Sequence, residues 1–160
     1  MSDDNYSVPH RSETERALLA HVLTSDRGVE QWRRWADLCP YPVVELFFVS
    51  EYRTFAVTIE EFLERTRALS GRIPIPMLAD AMADRTGADP QECVQKVATL
   101  ASAATLYDEA SVMTAVATLM RMAALRTQID VCEQAIDRIA ADEPDPETSL
   151  QRIEDELAPT

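Results

Sequence analysis

The sequence predicts an all-α fold, in which a compact body of five or six helices is followed by a C-terminal helical hairpin. Only three glycines occur in 160 residues, whereas Ala, Leu, Glu and Arg are abundant, as is typical of helices. Residues 106–141 contain neither Gly nor Pro and should form one helix of about ten turns. A chain of this length can bury a sizeable core without disulfides or metal ions.

The body is predicted to span residues 9–104. Residues 1–8 before it are polar and acidic, and we expect them to be disordered. The first helix should begin near Ser12, because Ser12 and Glu15 have the spacing of a capping box. In that arrangement each side chain accepts a hydrogen bond from the other residue's backbone N–H.

The second helix is predicted to begin at Val29 and to end before Pro40, with Trp32 as a core anchor and Trp35 half in the core. The apolar residues 43–49 have no partner strand elsewhere in the chain. We therefore interpret them as a buried short helix or loop.

Three further helices complete the body, each with Pro or Gly near one of its ends. The last of them should turn Val94, Val97 and Ala101 inward. The predicted bounds are Ser50 to about Leu69, Pro76 to Arg85, and Pro90 to Ala103.

Residues 105–160 are predicted to form the hairpin. Its long helix carries two apolar stripes, and a helix with two stripes needs two surfaces to bury them against. One stripe consists of Leu106, Ala110, Met113, Ala117, Met120 and Ala124, and the other of Val112, Val116, Leu119, Ile129, Cys132, Ile136 and Ile139.

A second, short helix should begin after Glu143-Pro144, with Asp145 as its N-cap and Pro146 at its first position. It can cover one stripe of the long helix, which leaves the other stripe either for a partner or for packing within the monomer. We expect self-association, with small and flexible side chains that let a partner helix approach. The predicted interface consists of Met113, Val116, Ala117, Met120, Ala124, Leu150, Ile153 and Leu157.

The formal net charge is −13. Binding to nucleic acid or to an anionic membrane surface requires clustered Lys and Arg, so neither is an expected partner. The last 31 residues contain ten Asp or Glu. This acidity is typical of a solvated outer face, although a docking surface for a basic partner is the alternative.

Cys39, Cys93 and Cys132 are odd in number and widely spaced, which argues against a disulfide framework. The N-terminus has no signal-peptide pattern, and no run of about 18 apolar residues occurs. We therefore expect a cytoplasmic protein. His10 and His21 have no convincing metal-ligand neighbours, so we predict no metal ion and no cofactor.

Several segments together resemble the N-terminal domain of DnaB-type replicative helicases. Residues 8–19 (VPHRSETERALL) are similar to the family's Pro-His-Ser-x-Glu-Ala-Glu opening, with one residue inserted after the His. Residues 46–48 (Leu-Phe-Phe) and Tyr52-Arg53 resemble the family's Phe-Tyr and His-Arg. Residues 71–78 parallel its Gly-x-Pro-Ile-Asp-x-x-Thr-Leu, and the terminal hairpin is similar to its dimerising hairpin.

The chain also departs from that family's pattern. Ala20-His21 stands where the family has Gly-Gly, the spacing between Tyr52 and Gly71 is longer, and Pro76 replaces a capping Asp. The phosphate-binding loop G-x-x-x-x-G-K-[ST] of the helicase motor is missing from this sequence. The resemblance therefore implies the collar part alone, which in the family pairs into dimers, assembles as a trimer of dimers, and contacts primase and the helicase loader.

The function predicted from the sequence is a non-catalytic interaction and oligomerisation module of DNA replication. Its expected partners are a second copy of itself and a replicative helicase, a primase or a helicase loader. A free-standing helicase-binding adaptor or inhibitor, and a helical dimerisation protein unrelated to replication, are the alternatives. An enzyme is disfavoured because the carboxylate clusters, such as Glu60-Glu61 with Glu64, have the pattern of solvated helix faces.

Overall fold

The computed structural model describes residues 8–103, 106, 108–142 and 146–158, and it confirms the all-α fold. Within these residues there are seven α-helices, a single 3-10 helix and no strand. The α-helices are α1 (Ser12–Thr24), α2 (Gly28–Leu38), α3 (Ser50–Arg65), α4 (Ile75–Thr86), α5 (Pro90–Ala101), α6 (Glu109–Asp142) and α7 (Pro146–Leu157), and the 3-10 helix is Val43–Leu46.

The chain forms two compact units, which we call the body (His10–Ala123) and the hairpin unit (Met1–Pro9 with Ala124–Thr160). Their boundary lies inside α6, whereas the sequence predicted a boundary at residue 105. The reason is that the first half of α6 supplies side chains to the core of the body, including Val112, Val116 and Leu119. Disorder is predicted for residues 1–8, of which residues 1–7 lie outside the described residues, as does the predicted turn at residues 143–145.

The centre of the body's core is aromatic. Trp32 and Trp35 are both 1% exposed, so Trp35 is fully buried rather than half buried as predicted. The Trp32 ring is nearly parallel to Phe47, with ring centroids 6.1 Å apart. The indole Nε1–H of Trp32 donates to Glu60 Oε2 at 2.6 Å, which satisfies its only polar group. Phe47 follows the 3-10 helix, so the buried short helix predicted for this apolar run is confirmed.

The capping box predicted at the start of α1 is not formed. Arg11 occupies the N-cap position, and the Glu15 side chain is 0% exposed. Its Oε1 accepts hydrogen bonds from the backbone N–H groups of Phe48 at 2.7 Å and Val49 at 3.0 Å. Glu15 therefore ties α1 to the residues just before α3, where backbone N–H groups have no acceptor within the helix.

Helix α5 presents a different face from the one predicted. Val94 is 40% exposed, so the prediction that it points inward is wrong, whereas Val97 and Ala101 are buried as predicted. Cys93 and Leu100 are also buried. The inner face of α5 is therefore centred on Cys93, Val97 and Leu100, at the i, i+4, i+7 spacing of one helical face.

The start of α2 is fixed by reciprocal hydrogen bonds with Gly71, which lies between α3 and α4. The Val29 N–H donates to the Gly71 carbonyl at 3.0 Å, and the Gly71 N–H donates to Glu30 Oε1 at 2.8 Å. The bond from Gly71 lowers the pKa of the Glu30 carboxyl. Gly28 begins α2 and lies against the backbone of Val22, where an added Cβ would be 2.1 Å from the carbonyl oxygen.

Candidate interaction surface

The hairpin unit is held together by a small contact between α6 and α7. Among its described residues, the buried apolar side chains are Ala135 and Ile139 on α6, and Ile153 on α7 is half buried. Arg138 Nη2 pairs with Glu156 Oε2 at 2.7 Å across the two helices. This pair shows which flanks of the two helices lie side by side.

A hydrogen bond joins Pro9 of this unit to α6. Arg126 donates from Nη1 to the carbonyl oxygen of Pro9 at 2.7 Å. A hydrogen bond from a charged donor is stronger than a neutral one, although it contributes little where water has access. The bond orients the Arg126 side chain on the surface of α6.

Exposed apolar side chains concentrate in the hairpin unit. Of the eleven large hydrophobic residues that are exposed in the described part of the chain, six lie on the second half of α6 or on α7. They are Leu125 (38% exposed), Ile129 (40%), Val131 (57%), Ile136 (44%), Leu150 (61%) and Leu157 (48%). Single exposed hydrophobic residues are ordinary, but a contiguous group of them marks an interaction site.

Five of these six residues share one side of the hairpin. At about 100° per residue, Leu125, Ile129 and Ile136 lie about 140–180° around α6 from Arg138. On α7, Leu150 and Leu157 lie about 100–120° around the helix from Glu156. The direction of rotation, seen along the chain from N- to C-terminus, is the same as on α6. Because α6 and α7 are antiparallel, both displacements lead away from the Arg138–Glu156 pair to the same flank. We call these five residues the apolar flank; Val131 lies on the opposite side, with Arg138.

The residues predicted to form the self-association interface are divided between the two units. Leu150 and Leu157 belong to the apolar flank, Ala124 is exposed on α6, and Ile153 is half buried. The other four are on the part of α6 that belongs to the body: Val116 is 1% exposed and in its core, Met120 packs against that core, Met113 is half buried and Ala117 is exposed.

Sequence reasoning omitted Leu125, Ile129 and Ile136 from the interface. Ile129 and Ile136 belong to the second predicted stripe, of which only Val116 is in the predicted interface, and Leu125 belongs to neither stripe. A signal was present, because Leu125, Ile129, Cys132 and Ile136 follow at spacings of four, three and four residues. That spacing is the one found along the seam of a coiled coil.

The surface of the body contains clefts. One cleft of about 470 Å³ lies between α3 and α5 and contains Arg16, Tyr52 and Lys96. Within the described residues, no group of three or more His, Cys, Asp or Glu could hold a metal ion. Cys39, Cys93 and Cys132 are free thiols, and burial raises the pKa of the Cys39 thiol, which lowers its thiolate fraction.

Comparison with known proteins identifies no similar protein. The chain matches no protein-family model, no curated protein and no solved structure. In the part of the chain that the structure describes, no helix is both long enough and apolar enough to cross a membrane.

Proposed function

We propose that this chain is a non-catalytic protein–protein interaction and oligomerisation module that associates through its hairpin unit. The observation that carries the proposal is the apolar flank, in which five Leu or Ile side chains are each 38–61% exposed. The proposed self-association uses the apolar flank as its surface. Val116 and Met120 are excluded from it because they already pack in the body.

The size of the apolar flank suits a weak to moderate association. Completing the burial of one half-exposed Leu or Ile stabilises a complex by about 1 kcal/mol. Two copies would contribute ten such side chains, or about 10 kcal/mol, against an association cost of roughly 4–15 kcal/mol. At the lower end of that cost the balance is about −6 kcal/mol, so we expect a weak dimer with a Kd of roughly 40 μM or above.

Light scattering across a concentration series tests this proposal. The double variant Ile136→Asp with Leu157→Asp should be monomeric at concentrations where the wild type is dimeric, because each Asp would be buried without a partner in the interface. Val131→Asp is the matched control, since Val131 is on α6 but on the opposite side, and it should dimerise as the wild type does. Circular dichroism should show the same helix content in all three proteins. A wild type that is monomeric at every concentration would overturn the proposal.

A role in DNA replication is the more specific form of the proposal, and it is supported by the sequence resemblance alone. In that form the chain is a collar-like module that forms dimers, or a trimer of dimers, and contacts a replicative helicase, a primase or a helicase loader. A free-standing adaptor or inhibitor of a helicase would use the same partners. Purified DnaB-type helicase and its primase, immobilised separately for biolayer interferometry, provide the test. Binding to neither would leave a dimerisation protein unrelated to replication.

A further inference from the structure

A cleft on the body, between α3 and α5, has the size and the side chains of a site for a small ligand. Its volume is about 470 Å³, and clefts that bind small molecules measure roughly 300–1,000 Å³. Helices α1 and α4 each pack against both α3 and α5. The two walls of the cleft are therefore held at a fixed separation by the core of the body.

The cleft contains one positive charge that no ion pair neutralises. It belongs to Lys96, the single lysine of the chain, which also lines an adjoining cleft of about 420 Å³. Among the residues that the structure describes, Lys96 forms no ion pair and donates no side-chain hydrogen bond. The other cation of the cleft, Arg16, is already paired with Glu13 Oε2 at 2.6 Å. An anionic group in the cleft would therefore bind at Lys96.

Three neutral side chains that can donate hydrogen bonds line the same cleft. They are the hydroxyl of Tyr52, the amide of Gln95 and the hydroxyl of Thr99. Within the described part of the chain, none of these three groups has a hydrogen-bond partner. Tyr52 is half buried and packs against the core, so its ring is fixed in the wall that α3 provides. A ligand oxygen near Lys96 can thus accept from a neutral donor as well.

Two carboxylates in the cleft limit the charge of the ligand. Glu51 and Glu92 lie in the first turns of α3 and α5, where the helix dipole stabilises a negative charge. Neither forms an ion pair with Lys96 or with any other described residue. They would repel a doubly charged phosphate more strongly than a singly charged carboxylate. The cleft therefore suits a ligand with one negative charge.

The floor of the cleft is apolar. Phe55 and Leu100 line it, although they are only 2% and 6% exposed. We propose that this cleft binds a small monocarboxylate with a short apolar group, which lies over Phe55 and Leu100. Its carboxylate accepts hydrogen bonds from Lys96 Nζ and from the hydroxyl of Tyr52. The site lies wholly in the body, so it does not depend on association through the hairpin unit.

Titration of the ¹⁵N-labelled protein with hexanoate at pH 7 and low salt tests this site by NMR of the backbone amides. Signals of residues 51–55 and 92–100 should shift together and give one Kd. Hexanamide has nearly the same shape but no charge, and it should bind about 3- to 10-fold more weakly. Equal affinity for the two compounds, binding of neither, or shifts confined to other helices would overturn the proposal.

Two variants test the groups that hold the carboxylate. Lys96→Met should raise the Kd for hexanoate by about 3- to 10-fold, to near the value for hexanamide, because only the charge difference separates the two compounds. Tyr52→Phe removes one hydrogen bond and should raise that Kd by about 2- to 10-fold.

Arg67→Met is the matched control for Lys96→Met. Arg67 is another cation that forms no ion pair among the described residues, but it lines a different cleft, between α2 and α3. Its loss should leave the Kd for hexanoate unchanged. If Lys96→Met binds hexanoate as the wild type does, the site is wrong. Light scattering would still test the hairpin dimer independently, because Lys96 is outside the apolar flank.

Discussion

Glu15 is a charged residue that is buried in the body. Its carboxylate is fully buried, one oxygen accepts two backbone N–H bonds, and Oε2 has no hydrogen-bond partner within the described part of the chain. Burying a carboxylate is costly unless its hydrogen bonds compensate. The compensation comes from Phe48 and Val49, whose backbone N–H groups donate to Oε1 just before α3.

Two substitutions of similar volume separate these hydrogen bonds from packing. Glu15→Gln keeps a carbonyl oxygen that can accept from Phe48 and Val49, whereas Glu15→Met removes the acceptor of both hydrogen bonds. A hydrogen bond contributes about 0.5–1.5 kcal/mol, so Glu15→Met should be the less stable variant by about 1–3 kcal/mol. Urea unfolding followed by tryptophan fluorescence measures the difference. Equal stability of the two variants would show that the hydrogen bonds contribute nothing.

The role of Glu15 could not be predicted from the sequence. Ser12 and Glu15 match a local capping pattern, and that pattern needs only residues three positions apart. The actual partners are 33 and 34 residues away in the chain, so only the packing of α1 beside the start of α3 reveals them. Trp32 differs in this respect, because its size and apolar neighbours were sufficient to predict a core position.

The bounds of helices α4 and α5 are explained by the residues at their ends. Helices α4 and α5 start at or next to a proline, and α4 ends at Gly87, whose φ of 73° lies in the left-handed region that favours glycine. At α5 the Asp89 side chain accepts from the Gln91 N–H at 3.0 Å. These starts and stops are local chemistry, which is why the sequence predicted them to within one or two residues.

Two glycines at helix ends should respond differently to the same substitution. Gly28→Ala places a Cβ 2.1 Å from the Val22 carbonyl oxygen, which is backbone and cannot move without separating α1 from α2. Gly87→Ala meets no atom within 4 Å and should cost only about 1–2 kcal/mol for its left-handed conformation. Gly28→Ala should therefore be the more destabilising by at least about 2 kcal/mol. Thermal unfolding by circular dichroism gives the comparison, and a larger loss for Gly87→Ala would contradict the packing of α1 on α2.

Periodicity predicted which faces of the helices are apolar but not what covers them. Helix α5 carries apolar residues on most of its sides, so Val94 and Leu100 were equally good candidates for the inner face. Periodicity predicts two apolar stripes on α6, but it does not show that the first half of α6 belongs to the body. Such assignments depend on contacts between residues far apart in the chain.

The two units differ strongly in how many apolar side chains they bury. In the hairpin unit the buried apolar residues among those described are Ala135 and Ile139, whereas the body has a core that includes both tryptophans and the centre of α3. Local stability follows buried apolar contact, so the hairpin unit should open more often than the body. Binding at the apolar flank would reduce that opening.

Hydrogen exchange should report this difference directly. At low concentration the amides of α7 should exchange faster than those of α3, because few side chains hold α7 on α6. Raising the concentration through the dimer Kd should slow exchange in α7 and in residues 125–136 while leaving α3 unchanged. The Ile136→Asp with Leu157→Asp variant supplies the control, since its exchange should not depend on concentration. Full protection of α7 in the monomer would contradict this account.

The contact made by Glu15 also bears on the order of folding. Joining α1 to the residues before α3 closes a loop of about 33 residues, which has an entropy cost. That cost must be met before Glu15 can accept hydrogen bonds from the N–H groups of Phe48 and Val49. The intervening chain contains α2 and the 3-10 helix, which must be compact enough to bring the two ends together. The first turn of α3 should therefore become stable only when α1 and α2 have docked, so that the N-terminal half of the body folds as one cooperative unit rather than helix by helix.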